Sequence, residues 1–297
     1  MNITTLLFLT LALFSNFICI FLIALRYKHL FISISEHAKF LDVTKLVAIT
    51  QIASYLTPFN IGILLGRPFI GKKFFNIQPG KTILATVIDQ WLEFFWQSLL
   101  VIFLIVIGVG SFFQKDLFVF PILFLILSLV FLLLFSKTLY TKLFIIKDSI
   151  PSFLKKLLKR FITLQDLTTA KTYLDQNLHT KKFILPYFSL VLLFILAYPL
   201  ILYFTSLAFS SSLPYTKIFT ATWASYLIGR LSGIPGGFGT RDLTLGAFLA
   251  LYGLSLEQAA IIALVYRIVT LLPSFLLSLS FVPEILFLLK KNPPKSI

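Results

Sequence analysis

The decapeptide Gly233-Ile234-Pro235-Gly236-Gly237-Phe238-Gly239-Thr240-Arg241-Asp242 sets four glycines, a proline and two charges between apolar runs. The planar fork of an arginine matches the oxygens of a phosphate two at a time. Unwound chain at membrane depth survives only where it is buried in protein or lines a wet cavity, because lipid offers its amides no partner. A similar break, Pro58-Phe59-Asn60-Ile61-Gly62, is followed by Arg67. A short helix starting after each break would present unpaired amides and a partial positive charge of about half a unit, an end that attracts phosphate. The candidate phosphate-binding residues are Pro58, Asn60, Gly62, Arg67, Arg230, Pro235, Gly236, Gly237, Gly239, Arg241 and Arg267.

A charge at the membrane centre costs upwards of about 2.5 kcal/mol even on insertion scales, so these arginines need partners or water. Asp89, Glu93, Asp242 and Glu257 are the available acids. Two arrangements are open. Arg241 pairs with Asp242 or Glu257 and Arg267 with Asp89 or Glu93, simply holding the structure together, or the charges and helix ends converge on a polar cavity; the number of convergent groups favours the cavity. Asp89 and Glu93, at i and i+4, share a helix face. They either neutralise arginines or relay protons, and neutralisation is the simpler reading.

Other chemistries lack their residues. His29, His37 and His179 have no ligand spacing around them, so no metal site is expected. Cys19 has no partner for a disulfide. No nucleophile constellation or nucleotide loop accompanies the acids, so neither an enzyme nor a cofactor is expected. The net charge of +15 is concentrated in one hydrophilic connection, from Lys137 to Lys182, and in a tail carrying Lys290, Lys291 and Lys295. That distribution marks cytoplasmic loops facing anionic lipid rather than a nucleic-acid surface.

The elements that must hold these residues are membrane helices. With 58% hydrophobic residues, 12% charged and 34 phenylalanines, the chain is an integral membrane protein. A crossing needs about 20 apolar residues, and five runs qualify, at 4–25, 83–107, 117–135, 183–209 and 259–281. The regions 42–75 and 214–252 are each split by proline and glycine into pieces of about 15 residues, too short to cross alone. Each either dips in and returns on the same side or crosses once; loop charge favours two re-entrant hairpins, because single crossings would put the basic connection outside. The hairpins then enter from opposite faces, as in an inverted-topology repeat. A gapless shift laying Pro58 on Pro235 also lays Gly62 on Gly239 and Asp89-Gln90 on Tyr266-Arg267. The expected architecture is an all-α polytopic protein of about five crossings and two re-entrant helical hairpins. It divides into a first membrane half at 1–148, a cytoplasmic segment at 149–182 and a second half at 183–297. The expected location is the cell membrane, with the N-terminus outside and the C-terminus cytoplasmic. Within the middle segment, Phe153, Leu154, Leu157, Leu158, Phe161, Ile162, Leu164 and Leu167 form an apolar stripe at helical spacing beside Lys155, Lys156, Lys159 and Arg160, the pattern of a helix lying on the inner leaflet.

The run from Gly233 to Asp242, then Tyr252-Gly253-Leu254-Ser255, Glu257-Gln258-Ala259 and Tyr266-Arg267, resembles the C-terminal signature of the lysylphosphatidylglycerol synthase membrane-domain family, which includes the flippase half of multiple peptide resistance factor. Pro58-Phe59-Asn60-Ile61-Gly62 with Arg67 resembles the family's earlier proline-glycine motif. Where the family shows an acidic-arginine pair with a later acid, this chain has Asp89-Gln90 and Glu93. The resemblance implies movement or handling of polar lipids. Together with the arginines and helix ends, the expected cargo is an anionic or zwitterionic lipid such as a phospholipid, aminoacyl-phospholipid or polyprenyl-phosphate-linked lipid, with anionic headgroups as the expected ligands. The longest hydrophilic stretch, about 45 residues, is short for a soluble catalytic domain. A rival expectation is an accessory module docking a separately encoded lipid-modifying or glycosyl transferase through Leu157, Phe161 and Leu164 at the cytoplasmic face. A third, ranked last, is a membrane transferase using Asp89 or Glu93 as base.

Overall fold

The computed structural model describes residues 2–34, 36–57, 61–108 and 181–291. Among these residues it is all helical, with no strand. Four helices are long: α1 (Ile3–Ser33), α4 (Pro79–Gly108), α5 (Lys181–Ala208) and α8 (Leu256–Lys291). Four are short: α2 (Phe40–Tyr55), α3 (Ile61–Phe75), α6 (Tyr215–Leu231) and α7 (Thr240–Leu251). Ile3–Ser33, Leu185–Ala208 and Leu256–Phe281 are long and apolar enough to cross a membrane. The expected crossing at 117–135 and the basic segment at 149–180 lie outside the described residues.

The molecule is apolar outside and encloses a set of buried polar side chains within its apolar core. On α8, Leu264, Ile268, Phe275 and Leu279 are exposed, while Tyr266, Arg267, Thr270 and Ser274 are buried. Water would penalise such an outer surface and hydrocarbon does not. The interior polar groups then need one another, and backbone as well.

Two prolines show how that need is met. Pro273 lacks the N–H that would bond the carbonyl four residues earlier, that of Val269. The side-chain amide of Asn16, on α1, donates to the Val269 and Thr270 oxygens, each at 2.9 Å. Pro199 likewise frees the Ile195 carbonyl, which accepts from Trp223 Nε1 at 3.2 Å. Helix breakers in α8 and α5 thereby become ties to α1 and α6.

The two split regions fold as helix pairs, α2 on α3 and α6 on α7. At 16 and 15 residues, α2 and α3 reach about 24 and 22 Å, less than the roughly 30 Å hydrocarbon core. Thr57 links them, donating to the Ala53 oxygen at 2.9 Å and accepting from the Gly62 N–H at 2.7 Å. Gly62 lies so close to α2 that a Cβ there would sit 2.3 Å from the Ala53 oxygen. Between α6 and α7, the turn Pro235–Gly237 leads through Gly239, at φ 79°, into α7. Gly229 makes room on α6, since its Cβ would fall 2.6 Å from that of Arg241. The most extensive helix contact joins α1 to α5, and α2 against α8 and α4 against α6 also cross between the expected halves.

Three substitutions have definite outcomes in thermal unfolding of detergent-purified protein. Gly62→Ala lowers stability by about 1–3 kcal/mol through overpacking. Gly66→Ala, whose nearest neighbour would stand 3.5 Å away, is neutral or gains up to about 1 kcal/mol of helix propensity. Asn16→Leu orphans the Val269 carbonyl and costs about 1–3 kcal/mol. That cost shrinks in a Pro273→Ala background, where the restored N–H takes over; equal costs in both backgrounds would contradict the role given to Asn16.

Candidate functional site

All eight described helices border one cavity of about 70 Å³, room for several waters. Its polar lining includes Asn16 of α1, Gln51 and Ser54 of α2, Arg67 of α3, Gln90 and Glu93 of α4, Tyr198 of α5, Tyr226 and Arg230 of α6, Arg241 of α7, and Thr270 and Ser274 of α8. The second break meets the end of α2 here. Gly236, in the left-handed region at φ 58°, packs on the end of α2 so tightly that a Cβ would lie 3.0 Å from the Tyr55 oxygen. Tyr55, Gly236 and Gly237 all line the cavity.

One wall is a ladder on α4. Arg26 is 1% exposed and reaches Asp89 twice, Nε to Oδ1 at 2.5 Å and Nη2 to Oδ2 at 2.9 Å, and its Nη2 also bonds Glu93 Oε2. Tyr187 donates to Asp89 Oδ1 at 3.0 Å, and Gln97 Nε2 to Glu93 Oε1 at 3.2 Å. From α6, Arg230 donates to Gln90 Oε1 at 2.6 Å, Gln97 Oε1 at 3.2 Å and Glu93 Oε1 at 3.4 Å. Two guanidiniums thus balance two carboxylates. The acids neutralise arginines, but their partners are Arg26 and Arg230 rather than Arg267. Gln90 accepts from an arginine on another helix.

A second balanced group braces the glycine turn. Arg267 Nη2 donates to the Gly236 oxygen at 2.9 Å and stands 3.3 Å from Asp242 Oδ2, with its guanidinium 4.4 Å from the Phe238 ring centre. Asp242 accepts from the Gly239 N–H at 3.2 Å. The amide end of α7, expected to hold a phosphate, is therefore answered by this carboxylate, and Asp242 pairs with Arg267 instead of Arg241. Glu257 is exposed in the first turn of α8 and does not line the cavity.

Arg67 and Arg241 are different. Arg241, 4% exposed, donates from Nη2 to the Tyr198 and Tyr266 hydroxyls at 2.9 and 3.0 Å. The rings of Tyr226, Tyr266 and Tyr198 surround it at 5.0, 5.3 and 6.0 Å from their centres. Arg67, 1% exposed, donates from Nε to Thr50 Oγ1 at 3.1 Å and stacks 4.0 Å from the Tyr27 ring centre. Among the described residues its Nη1 has no hydrogen-bond partner. Neither arginine is within salt-bridge distance of a carboxylate among the described residues. Ring faces contribute about 0.5–2 kcal/mol each, short of what a desolvated cation loses. Both guanidiniums line the cavity with capacity left for an anion.

Of the residues expected to bind phosphate, Arg67, Arg230, Gly236, Gly237 and Arg241 line the cavity. Gly62, Pro235 and Gly239 shape the chain around it, Arg267 braces the turn, and Pro58 and Asn60 lie outside the described residues. Arg26, Tyr187, Tyr198 and Tyr226 were not anticipated. Arg26 reads as a membrane-edge charge, yet it continues the helical spacing of Asn16, Cys19 and Ile23, which line the cavity. Among the described residues no three His, Cys, Asp or Glu side chains gather to hold a metal.

Comparison with known proteins found no match among curated proteins and none among solved structures. A family model described as the lysylphosphatidylglycerol synthase TM region matches residues 2–278, nearly the whole chain. With apolar long helices enclosing a polar cavity, the chain is a membrane protein that belongs to the lysylphosphatidylglycerol synthase transmembrane-region family.

Proposed function

We propose that this protein moves lipids with an anionic phosphate headgroup from one leaflet to the other, without catalysing a covalent change. The observation that carries the reading is the pair Arg67 and Arg241. They follow the two breaks in sequence, are buried, face one cavity and, among the described residues, have no carboxylate within salt-bridge distance. The family itself is tied to lipid handling. A headgroup lodged between the arginines would leave its acyl chains against the apolar outer surface, so only the polar part of the lipid needs a protein path.

In this reading α2–α3 and α6–α7 are re-entrant hairpins dipping in from opposite faces of the cell membrane, with the N-terminus outside and the C-terminus cytoplasmic. Support comes from their length and from the packing of Gly236, in the second break, on Tyr55 at the end of α2. Alternating access then requires the contact at Gly236 and the bonds from Arg230 to α4 to loosen in turn, while the broad α1–α5 apposition stays closed.

Reconstitution into liposomes containing fluorescent phosphatidylglycerol tests this. The protein is expected to expose inner-leaflet label to a membrane-impermeant quencher faster than empty liposomes do. Arg67→Gln and Arg241→Gln are each expected to slow that exposure on the order of tenfold or more, the scale of losing a buried charge contact. A wild-type rate equal to that of empty vesicles, or full activity in both variants, would overturn the proposal.

A further inference from the structure

The same cavity also carries a statement about which headgroups it accepts, which rests on the phosphate-lipid reading above. Glu93 is the carboxylate in its lining, and both of its oxygens are engaged, Oε1 with Arg230 and Gln97 and Oε2 with Arg26. Asp89, behind it, is closed off on both oxygens by Arg26, with Tyr187 donating to Oδ1 as well. The other acid nearby, Asp242, is spent on Arg267 and the Gly239 amide. Gln90 Oε1 is engaged as well, receiving Arg230.

The charges therefore sum in a definite way. Arg26 and Arg230 cancel Asp89 and Glu93, and Arg267 cancels Asp242. Among the described residues Arg67 and Arg241 remain, an excess of two positive charges facing a cavity of about 70 Å³ walled by apolar helices. Charges in such surroundings interact far more strongly than in water. A phosphodiester brings one negative charge and answers one arginine. A phosphomonoester, at about −1.5 to −2 near neutral pH with three acceptor oxygens, answers both. Among the described residues an ammonium group finds no free carboxylate in the lining and meets two guanidiniums.

We infer that the cavity ranks lipids by headgroup charge, with a phosphomonoester or terminal diphosphate lipid as its preferred ligand and aminoacylated, ammonium-bearing lipids excluded. The ligand class is then a lipid whose phosphate is unesterified at its outer end.

The test measures binding of dioctanoyl phosphatidic acid, dioctanoyl phosphatidylglycerol, dioctanoyl lysylphosphatidylglycerol and inorganic phosphate to the full chain in a nonionic detergent, by calorimetry at pH 7.5 and pH 5. At pH 7.5 phosphatidic acid is expected to bind at least tenfold tighter than phosphatidylglycerol, with the lysyl lipid weakest. At pH 5, below the second phosphate pKa of about 6, the advantage of phosphatidic acid over phosphatidylglycerol should shrink severalfold. Arg67→Lys, which keeps the charge, should keep the order, and Arg67→Gln should compress it. Phosphatidylglycerol or the lysyl lipid binding as tightly as phosphatidic acid would overturn the ranking while leaving the phosphate-lipid reading in place. Inorganic phosphate matching phosphatidic acid would reassign the site to a free anion and overturn the lipid class. No binding by any probe would remove both readings.

Discussion

A guanidinium inside an apolar helix bundle must be answered by something, and most of this protein's interior can be understood as the set of answers. Arg26 and Arg230 are met by Asp89 and Glu93, and Arg267 by Asp242 and a backbone carbonyl. Arg67 and Arg241 receive hydroxyls and aromatic faces. The first group resembles a structural core whose partial removal would strand a buried charge. The second group is where the bundle keeps positive charge in reserve, and the cavity lies between its members.

The backbone obeys the same rule. Prolines in α5 and α8 withhold amide hydrogens, and the orphaned carbonyls are taken by Trp223 and Asn16. Glycines at 62, 229 and 236 sit where a side chain would collide with α2 or with Arg241. These close approaches bring the second break onto the end of α2 and let the eight described helices border a single small space. Charge placement and chain breaks thus form one device, since the breaks admit polar groups to the interior and the arginines give that interior its sign.

Much of this was legible in the sequence. Breaks at Pro58 to Gly62 and Gly233 to Gly239 stand out because proline and glycine interrupt apolar runs, and Arg67, Arg230 and Arg241 were expected at a shared cavity for that reason. Pair assignments were not legible, because a helix face is set by tertiary packing. Arg26 sits where orienting charges usually sit, yet α1 continues to Ser33 and carries it inward to Asp89 and Glu93. The tyrosines around Arg241 come from α5, α6 and α8, and in a chain with 34 phenylalanines and 11 tyrosines aromatic content carries no positional signal. Asp242 beside Arg241 in sequence suggested a pair, but helical geometry turns neighbours to different faces, and Asp242 meets Arg267.

The central claim is that the reserve of positive charge on Arg67 and Arg241 exists to hold one anion. A density map of the protein in nanodiscs made with phosphate lipids tests it most directly. The account predicts a phosphate-sized feature within hydrogen-bond reach of both guanidiniums, continuous with acyl density at the outer surface. A cavity holding only water, or either arginine turned away to a carboxylate, would contradict it.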